Sequence, residues 1–202
     1  NKFFNEFMKI CDTLRRLQVR TNAETPDDAK VALNYGAEGV GLFRTEHMFY
    51  GKGSEEPLSK LRKMILSKSE AERRQALKEL FPFVKRDVKA TMQVMNGLPV
   101  TFRLLDPPLH EFVPQEKAEV QKLCKELNIS PAEFQKRADA LHELNPMMGH
   151  RGVRLAITYP EVAEMQVRAI LEAAAELIKA KKKPMPEIMI PVTCDMNELK
   201  AQ

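Results

Sequence analysis

The sequence lacks the features of membrane-spanning, secreted and disulfide-linked proteins. No apolar run approaches the roughly 20 residues that cross a bilayer, and residues 1–20 lack the layout of a signal peptide. The three cysteines, Cys11, Cys124 and Cys194, lie far apart and form no CxxC or Cys/His spacing. That pattern predicts reduced thiols and gives no support for a zinc site. We therefore expect a soluble, cytoplasmic protein with no membrane contact, or an organellar one in a eukaryote.

Two further absences narrow the function. There is no Walker-type glycine-rich loop, so nucleotide binding is not expected in this segment. The 32 Lys and Arg residues exceed the 28 Asp and Glu residues by a net charge of only +4 and are scattered, which gives no argument for a nucleic-acid partner. The 202 residues, 44% hydrophobic and 30% charged, are typical of one globular domain. The first residue is Asn1 rather than Met, which indicates an excerpt or a processed chain.

The chain is organised around residues 39–49, which read GVGLFRTEHMF. A short apolar run after a glycine that ends abruptly on polar residues favours a buried strand. In parallel α/β sheets, ligands meet the carboxyl ends of such strands, so Arg44 is a candidate anion-binding group. The alternative, that Arg44 merely pairs with Glu46 or another neighbour, has equal support from this stretch alone.

The pattern on either side is strand, helix, strand, typical of parallel βαβ units. Thr25 and the following proline predict a helix start, and Pro82 is expected to break or kink a later helix. Residues 109–144 are polar and helix-rich, with a start signal at Ser130, which indicates an insertion in a βα loop. Four stretches are strand candidates, the last of them predicted to be buried: residues 19–23, 40–44, 100–105 and 188–192.

Arg103 repeats the placement of Arg44 at the polar end of an apolar strand, with an acidic residue close behind. If the two strands are parallel neighbours, both guanidinium groups reach one edge of the sheet, where they suit phosphate or carboxylate recognition. Arg151 and Arg154 lie at helical spacing and are candidates for the same cluster, although one could instead serve a salt bridge between domains. The acidic residues Glu46, Asp106 and Glu111 could hold a cation, but ion pairs to the arginines are the simpler role.

Three stretches carry a resemblance to a known family. Residues 36–46 resemble the signature of the phosphoenolpyruvate-utilising enzymes, and residues 105–114 and 145–152 resemble the dikinase branch of that family. The resemblance implies an α/β fold, a partial (β/α)8 TIM barrel with about four parallel strands and a helical insertion after the third. Residues 1–17 would be a leading helix or linker from a preceding domain. Residues 18–202 would be the N-terminal half of the phosphoenolpyruvate/pyruvate-binding barrel, with the insertion at about 109–144.

The resemblance also implies a function. The full enzyme would interconvert ATP, phosphate and pyruvate with AMP, pyrophosphate and phosphoenolpyruvate through a phosphohistidine domain of the same chain. Arg44, Arg103 and Arg151 would hold the phosphoryl group, and Arg154 lies in the same motif with a less defined role. The ligands of Mg²⁺ would lie outside this chain, which has no assigned catalytic residue or metal ligand. We expect a homodimer and an isolated chain without activity.

Two alternatives stay open. One is an enzyme I-type phosphotransferase that passes phosphate from phosphoenolpyruvate to a protein. The other is a non-catalytic half barrel that binds a partner or dimerises through its open edges and apolar faces.

Overall fold

Four parallel strands form one sheet in the order in which they occur along the chain. The computed structural model describes residues 2–51 and 53–202. Each strand joins the next through at least one helix, which gives the layout of a partial α/β barrel and confirms the predicted fold class. The strands are β1 (Thr21–Asn22), β2 (Val40–Arg44), β3 (Pro99–Arg103) and β4 (Met185–Met189).

Helices pack against this sheet, and two of them form the predicted helical insertion that follows β3. None of the helices in the described ranges is long and apolar enough to cross a membrane. Short 3₁₀ helices follow β2 (Thr45–Phe49) and β3 (Leu109–Phe112). The α-helices are α1 (Lys2–Leu14), α2 (Pro26–Asn34), α3 (Glu55–Ile65), α4 (Glu70–Val94), α5 (Lys117–Leu127), α6 (Pro131–Ala140), α7 (Gly152–Thr158), α8 (Pro160–Lys179) and α9 (Met196–Ala201).

Local side-chain chemistry sets two of the predicted helix starts. Thr25 accepts a hydrogen bond from the backbone N–H of Asp28, and the Asp28 carboxylate accepts in return from the Thr25 N–H, so a capping box opens α2. Ser130 accepts from the backbone N–H of Glu133 at the start of α6. Both starts were predicted from the sequence and are confirmed.

The core lies between the sheet and the helix pair α4 and α8. Phe43 of β2 and Phe102 of β3 meet edge to face with ring centroids 5.1 Å apart, and both are fully buried. The helices cover them with an apolar face that includes Leu80, Val84, Val88, Ala169, Ile170 and Ala173. This packing fixes the strands, and therefore the residues at their carboxyl ends.

The sequence predicted a break or a kink at Pro82. The break is wrong, because α4 runs unbroken from Glu70 to Val94, and the kink stays a prediction. Pro82 is exposed, and so is Lys78, whose carbonyl loses its helical donor. Pro82 therefore lies on the solvent side of α4, and the buried residues before and after the proline hold both halves of the helix on the core.

The prediction for β4 needs two corrections. The strand occupies Met185–Met189 rather than residues 188–192, and its side chains are mostly exposed rather than buried. Pro186 precedes the predicted range but lies within the observed strand, because β4 is the edge of the sheet, where a residue without an N–H is tolerated. Ile188 and Met189 are each 37% exposed, so this edge presents apolar surface, as expected of an open half barrel.

Candidate anion-binding site

The structure brings Arg44 and Arg103 to the same edge of the sheet. Each is the last residue of its strand, and the two are register partners in the parallel β2–β3 pair. Parallel strands end on the same side, so side chains that follow both strands share one region of the surface. The edge also carries the acidic residues that follow each strand, Glu46 and Asp106, both almost fully buried.

Arg103 lies between two carboxylates. One Nη donates to Glu46 Oε1, and the other lies 3.0 Å from Asp106 Oδ2. Glu46 is only 3% exposed, and its Oε2 is buried without a hydrogen-bond partner among the described residues, as is Nε of Arg103. The ion pairs expected for Glu46 and Asp106 are therefore present, and they hold the Arg103 guanidinium firmly in one orientation.

Arg151 reaches the same edge from a different part of the chain. It is the N-cap of α7, and it donates to Asp106 from Nη2 at 2.7 Å and from Nε at 3.2 Å. Two parallel hydrogen bonds of this kind fix the plane of the guanidinium as well as its distance. Asp106 thus joins Arg103 and Arg151, which are 48 residues apart in the sequence (151 minus 103).

Arg44 has a partner that sequence reasoning missed. It pairs with Glu24, which directly follows the β1 region, and not with Glu46. The second oxygen of Glu24 lies 2.5 Å from Nδ1 of His47. The position of Glu24 just past β1 was a usable signal, because an acidic residue also follows each of the two strand ends that carry an arginine, β2 and β3.

Glu24 and His47 line a cavity of about 200 Å³ beside β2. Tyr50 stands nearby, with its ring centroid 6.1 Å from that of His47. Burial, and then the negative charges of Glu111 and Glu46, raise the pKa of the Tyr50 phenol, which therefore stays protonated. The walls of the cavity include Glu24, Thr25, Phe43, His47, Met48, Arg86 and Thr91.

Arg154 bonds to the loop before Arg151 rather than to Glu24, Glu46 or Asp106. Its Nη1 donates to the backbone carbonyl of Gly149 at 2.9 Å, so it braces the loop that precedes Arg151. The sequence placed Arg151 and Arg154 at helical spacing. Arg154 lies within α7, but Arg151 is the N-cap residue, just before its first turn.

The three arginines face three carboxylates, so the ionised cluster is close to electrically neutral. The carboxylates hold the guanidinium groups in defined orientations. Guanidinium groups carry more donors than one carboxylate can use, which leaves donors available to an incoming oxyanion. The arrangement can therefore bind a group with several oxygens, provided that those oxygens take over hydrogen bonds from the resident carboxylates.

The same carboxylates are poorly placed to hold a metal. Within residues 2–51 and 53–202, no group of three or more His, Cys, Asp and Glu side chains is arranged to bind a metal ion. At the strand ends the acids Glu24, Glu46 and Asp106 are engaged by arginines instead. This donor set consequently fits anion recognition rather than cation binding.

Gln166 is a second residue that sequence reasoning missed. It lies on α8 and is 4% exposed, and its carboxamide bonds to residues just past both β2 and β3. Nothing in the sequence singles it out, because it occupies an ordinary position in an amphipathic helix and its partners are 61 and 121 residues away.

Parallel strands with arginines at their carboxyl ends, each paired with a carboxylate, define an α/β barrel segment whose strand ends are suited to oxyanion recognition. The chain belongs to the family described as "PEP-utilising enzyme, PEP-binding domain", whose sequence profile matches residues 1–202. The resemblance seen in the three sequence motifs is thereby confirmed.

Several curated relatives bear the name pyruvate, phosphate dikinase. The chain is 52% identical to that of Rhizobium meliloti (strain 1021) over 190 residues, which cover 94% of this chain and 21% of the relative. It is 51% identical to that of Clostridium symbiosum over 198 residues, 98% of this chain and 22% of the relative. The Giardia intestinalis protein is 49% identical over 192 residues, 95% of this chain and 21% of the relative. The chain thus spans about a fifth of the length of the relatives it matches.

Proposed function

We propose that this chain is part of a pyruvate, phosphate dikinase and binds phosphoenolpyruvate at the carboxyl edge of its sheet. The complete enzyme interconverts ATP, phosphate and pyruvate with AMP, pyrophosphate and phosphoenolpyruvate through a phosphohistidine. The family match and the names of the relatives support the substrate class. The observation that carries the proposal is the register pairing of Arg44 with Arg103, with Arg151 joined to Arg103 through Asp106.

In this proposal the three arginines hold the phosphoryl group. Phosphoryl transfer needs little covalent chemistry from the protein and depends on positioning and charge neutralisation, for which planar guanidinium donors are suited. As the phosphoryl oxygens arrive, Arg44 turns its donors from Glu24 to the substrate, and Arg103 and Arg151 share theirs between the substrate and Asp106. Arg154 supports the loop below Arg151 and acts on the substrate only through that residue.

The other parts of the reaction fall to residues outside this site. Mg²⁺, when bound in the complete enzyme, neutralises developing negative charge, and we assign its ligands to other segments because the acids here are paired with arginines. We assign residues 18–202 to the N-terminal half of the barrel and residues 1–17, which include α1, to a linker from the preceding domain. A phosphohistidine domain of the same polypeptide delivers the phosphoryl group, the enzyme is a homodimer, and it works in the cytoplasm or in an organelle.

The test uses the native full-length protein in which this sequence occurs. Supplied with ATP, phosphate and pyruvate, it should form phosphoenolpyruvate, and Arg103→Lys should raise the KM for phosphoenolpyruvate by about 10- to 100-fold because lysine lacks the two-pronged donor geometry. Arg168→Lys, on an exposed i,i+4 pair with Glu172, is the matched control and should leave the KM unchanged.

Two results would contradict the proposal in different ways. Phosphate transfer from phosphoenolpyruvate to a partner protein, with no dikinase reaction, would establish the enzyme I-type alternative. We expect purified residues 1–202 to be inactive. Pyruvate–phosphoenolpyruvate exchange by this segment alone would show that it contains the whole chemical site.

A further inference from the structure

One buried side chain connects the two strand ends that carry Arg44 and Arg103. The carboxamide oxygen of Gln166 accepts a hydrogen bond from the backbone N–H of Leu105 at 3.0 Å, and its nitrogen donates to the Thr45 hydroxyl at 2.9 Å. Thr45 follows Arg44 directly, and Leu105 lies between Arg103 and Asp106. A single residue of α8 therefore touches both segments that present the anion-binding groups.

Both hydrogen bonds are buried away from solvent. Gln166 is 4% exposed, Thr45 is 1% exposed and Leu105 is 5% exposed, so water has little access to either hydrogen bond. A buried donor or acceptor that loses its partner carries the full cost of its desolvation, which makes such bonds strict about geometry. The strand ends are thus held at a defined separation by bonds that cannot be replaced by solvent.

A carboxamide of this length meets both requirements at once. The Leu105 N–H needs an acceptor and the Thr45 hydroxyl oxygen receives a donor, and glutamine supplies one of each from a planar group. An ionised glutamate could accept from both groups only by burying its negative charge, and methionine, of similar length, would offer at most a weak acceptor. The residue is therefore chosen by hydrogen bonding rather than by volume.

We propose that Gln166 is a positioning residue that sets the distance and orientation between the Arg44 and Arg103 ends of the site without touching the substrate. The register of β2 and β3 aligns the two arginines only as far as the strands extend, and both strands stop at the arginines themselves. Beyond them the chain turns into irregular segments, and the Gln166 carboxamide continues the alignment there. The inference rests on the proposed function, since it concerns the binding of phosphoenolpyruvate.

The experiment measures the KM for phosphoenolpyruvate, kcat and the thermal midpoint in the native full-length protein. Gln166→Met removes both bonds, and Thr45→Val removes one while preserving shape. We expect each to raise the KM for phosphoenolpyruvate, by about 10-fold or more for Gln166→Met, because small displacements of binding groups are costly. The KM for ATP should stay constant. Thr45→Ser, which keeps the hydroxyl, should restore a KM near that of the unmodified protein.

Gln135→Met is the matched control. Gln135 is exposed on α6 and its side chain bonds to Asp139 one turn away, so the same chemical change there should leave every constant unaltered. A merely structural role for Gln166 would lower the thermal midpoint and the amount of active enzyme, but it would leave the KM for phosphoenolpyruvate as in the control.

The outcomes separate this inference from the function on which it rests. If Arg103→Lys raises the KM for phosphoenolpyruvate but Gln166→Met does not, the positioning role is wrong and the proposed function stands. If the unmodified protein does not turn over phosphoenolpyruvate, both are wrong. If Gln166→Met does not fold, the Thr45 pair decides: equal KM values for Thr45→Val and Thr45→Ser would overturn the inference.

Discussion

Arg103→Met is the substitution that tests the buried ion-pair cluster most directly. Methionine preserves the length of the side chain but removes the positive charge, which leaves Glu46 without its salt-bridge partner. Asp106 keeps Arg151, so the damage is concentrated on a single carboxylate. The side chain of Glu46 is 3% exposed and therefore cannot turn to water without moving the 3₁₀ helix that carries it.

The expected magnitude follows from that burial. Removing one partner of a buried ion pair costs about 3–5 kcal/mol, much of it for the charge left behind. The Arg103 side chain is 20% exposed, so we expect the low end of that range, about 3 kcal/mol. For a chain of this size 1 kcal/mol lowers the midpoint of thermal unfolding by about 2–4 °C, so the midpoint should fall by about 6–12 °C.

Thermal unfolding of three variants checks this reasoning. Arg168→Met removes an exposed partner of Glu172 and should leave the midpoint almost unchanged. The double variant Arg103→Met/Glu46→Gln removes the stranded charge as well and should recover more than half of the loss. The reasoning is refuted if Arg103→Met costs no more than Arg168→Met, or if the double variant is less stable than the single one.

Three other features give independent predictions. Glu24→Gln removes the charge that competes for Arg44, so calorimetry should show inorganic phosphate binding about three- to tenfold more tightly. Gly152→Ala should lower the free energy of urea unfolding by about 1–3 kcal/mol, because Gly152 has φ +55° and a Cβ would lie 2.8 Å from a backbone carbonyl oxygen. Hydrogen bonds from Lys85 and then Lys89 lower the pKa of Glu176 from 4.5 to about 2. Their stabilising effect is present above pH 4.5 and is lost as the pH falls towards 2, and Lys85→Met should move the NMR midpoint of Glu176 upwards.

Most of the fold could be predicted because its signals are local. The capping residues Thr25 and Ser130, and the apolar runs that end on Arg44 and Arg103, each lie within a few residues of the element they define. The errors fall where tertiary position overrides a local rule. Pro82 stays within a helix because packing holds both sides of it, and β4 begins earlier than expected because an edge strand accepts a proline.

Only part of the candidate site could be predicted from the sequence, for the same reason. The pattern identifies Arg44 and Arg103 as neighbours, but it does not identify the groups that hold them. Glu24 is 20 residues from Arg44, and Gln166 is 121 residues from Thr45. Contacts over such distances depend on how α8 and the β1 region pack against the strands, which no periodicity encodes.

The carboxylates that pair with the three arginines compete with an incoming anion for the same donors. Asp106 occupies one guanidinium edge of Arg151 and one Nη of Arg103, and Glu24 occupies an Nη of Arg44. A ligand with a single carboxylate offers two oxygens and would only repeat the contacts that Asp106 already makes. A phosphoryl group offers three acceptor oxygens and more negative charge, so it can engage guanidinium groups on different strands at once. If the site binds phosphoenolpyruvate as proposed, the internal ion pairs favour a phosphate ester over a simple carboxylate, because the ester replaces more of the hydrogen bonds that the resident carboxylates make.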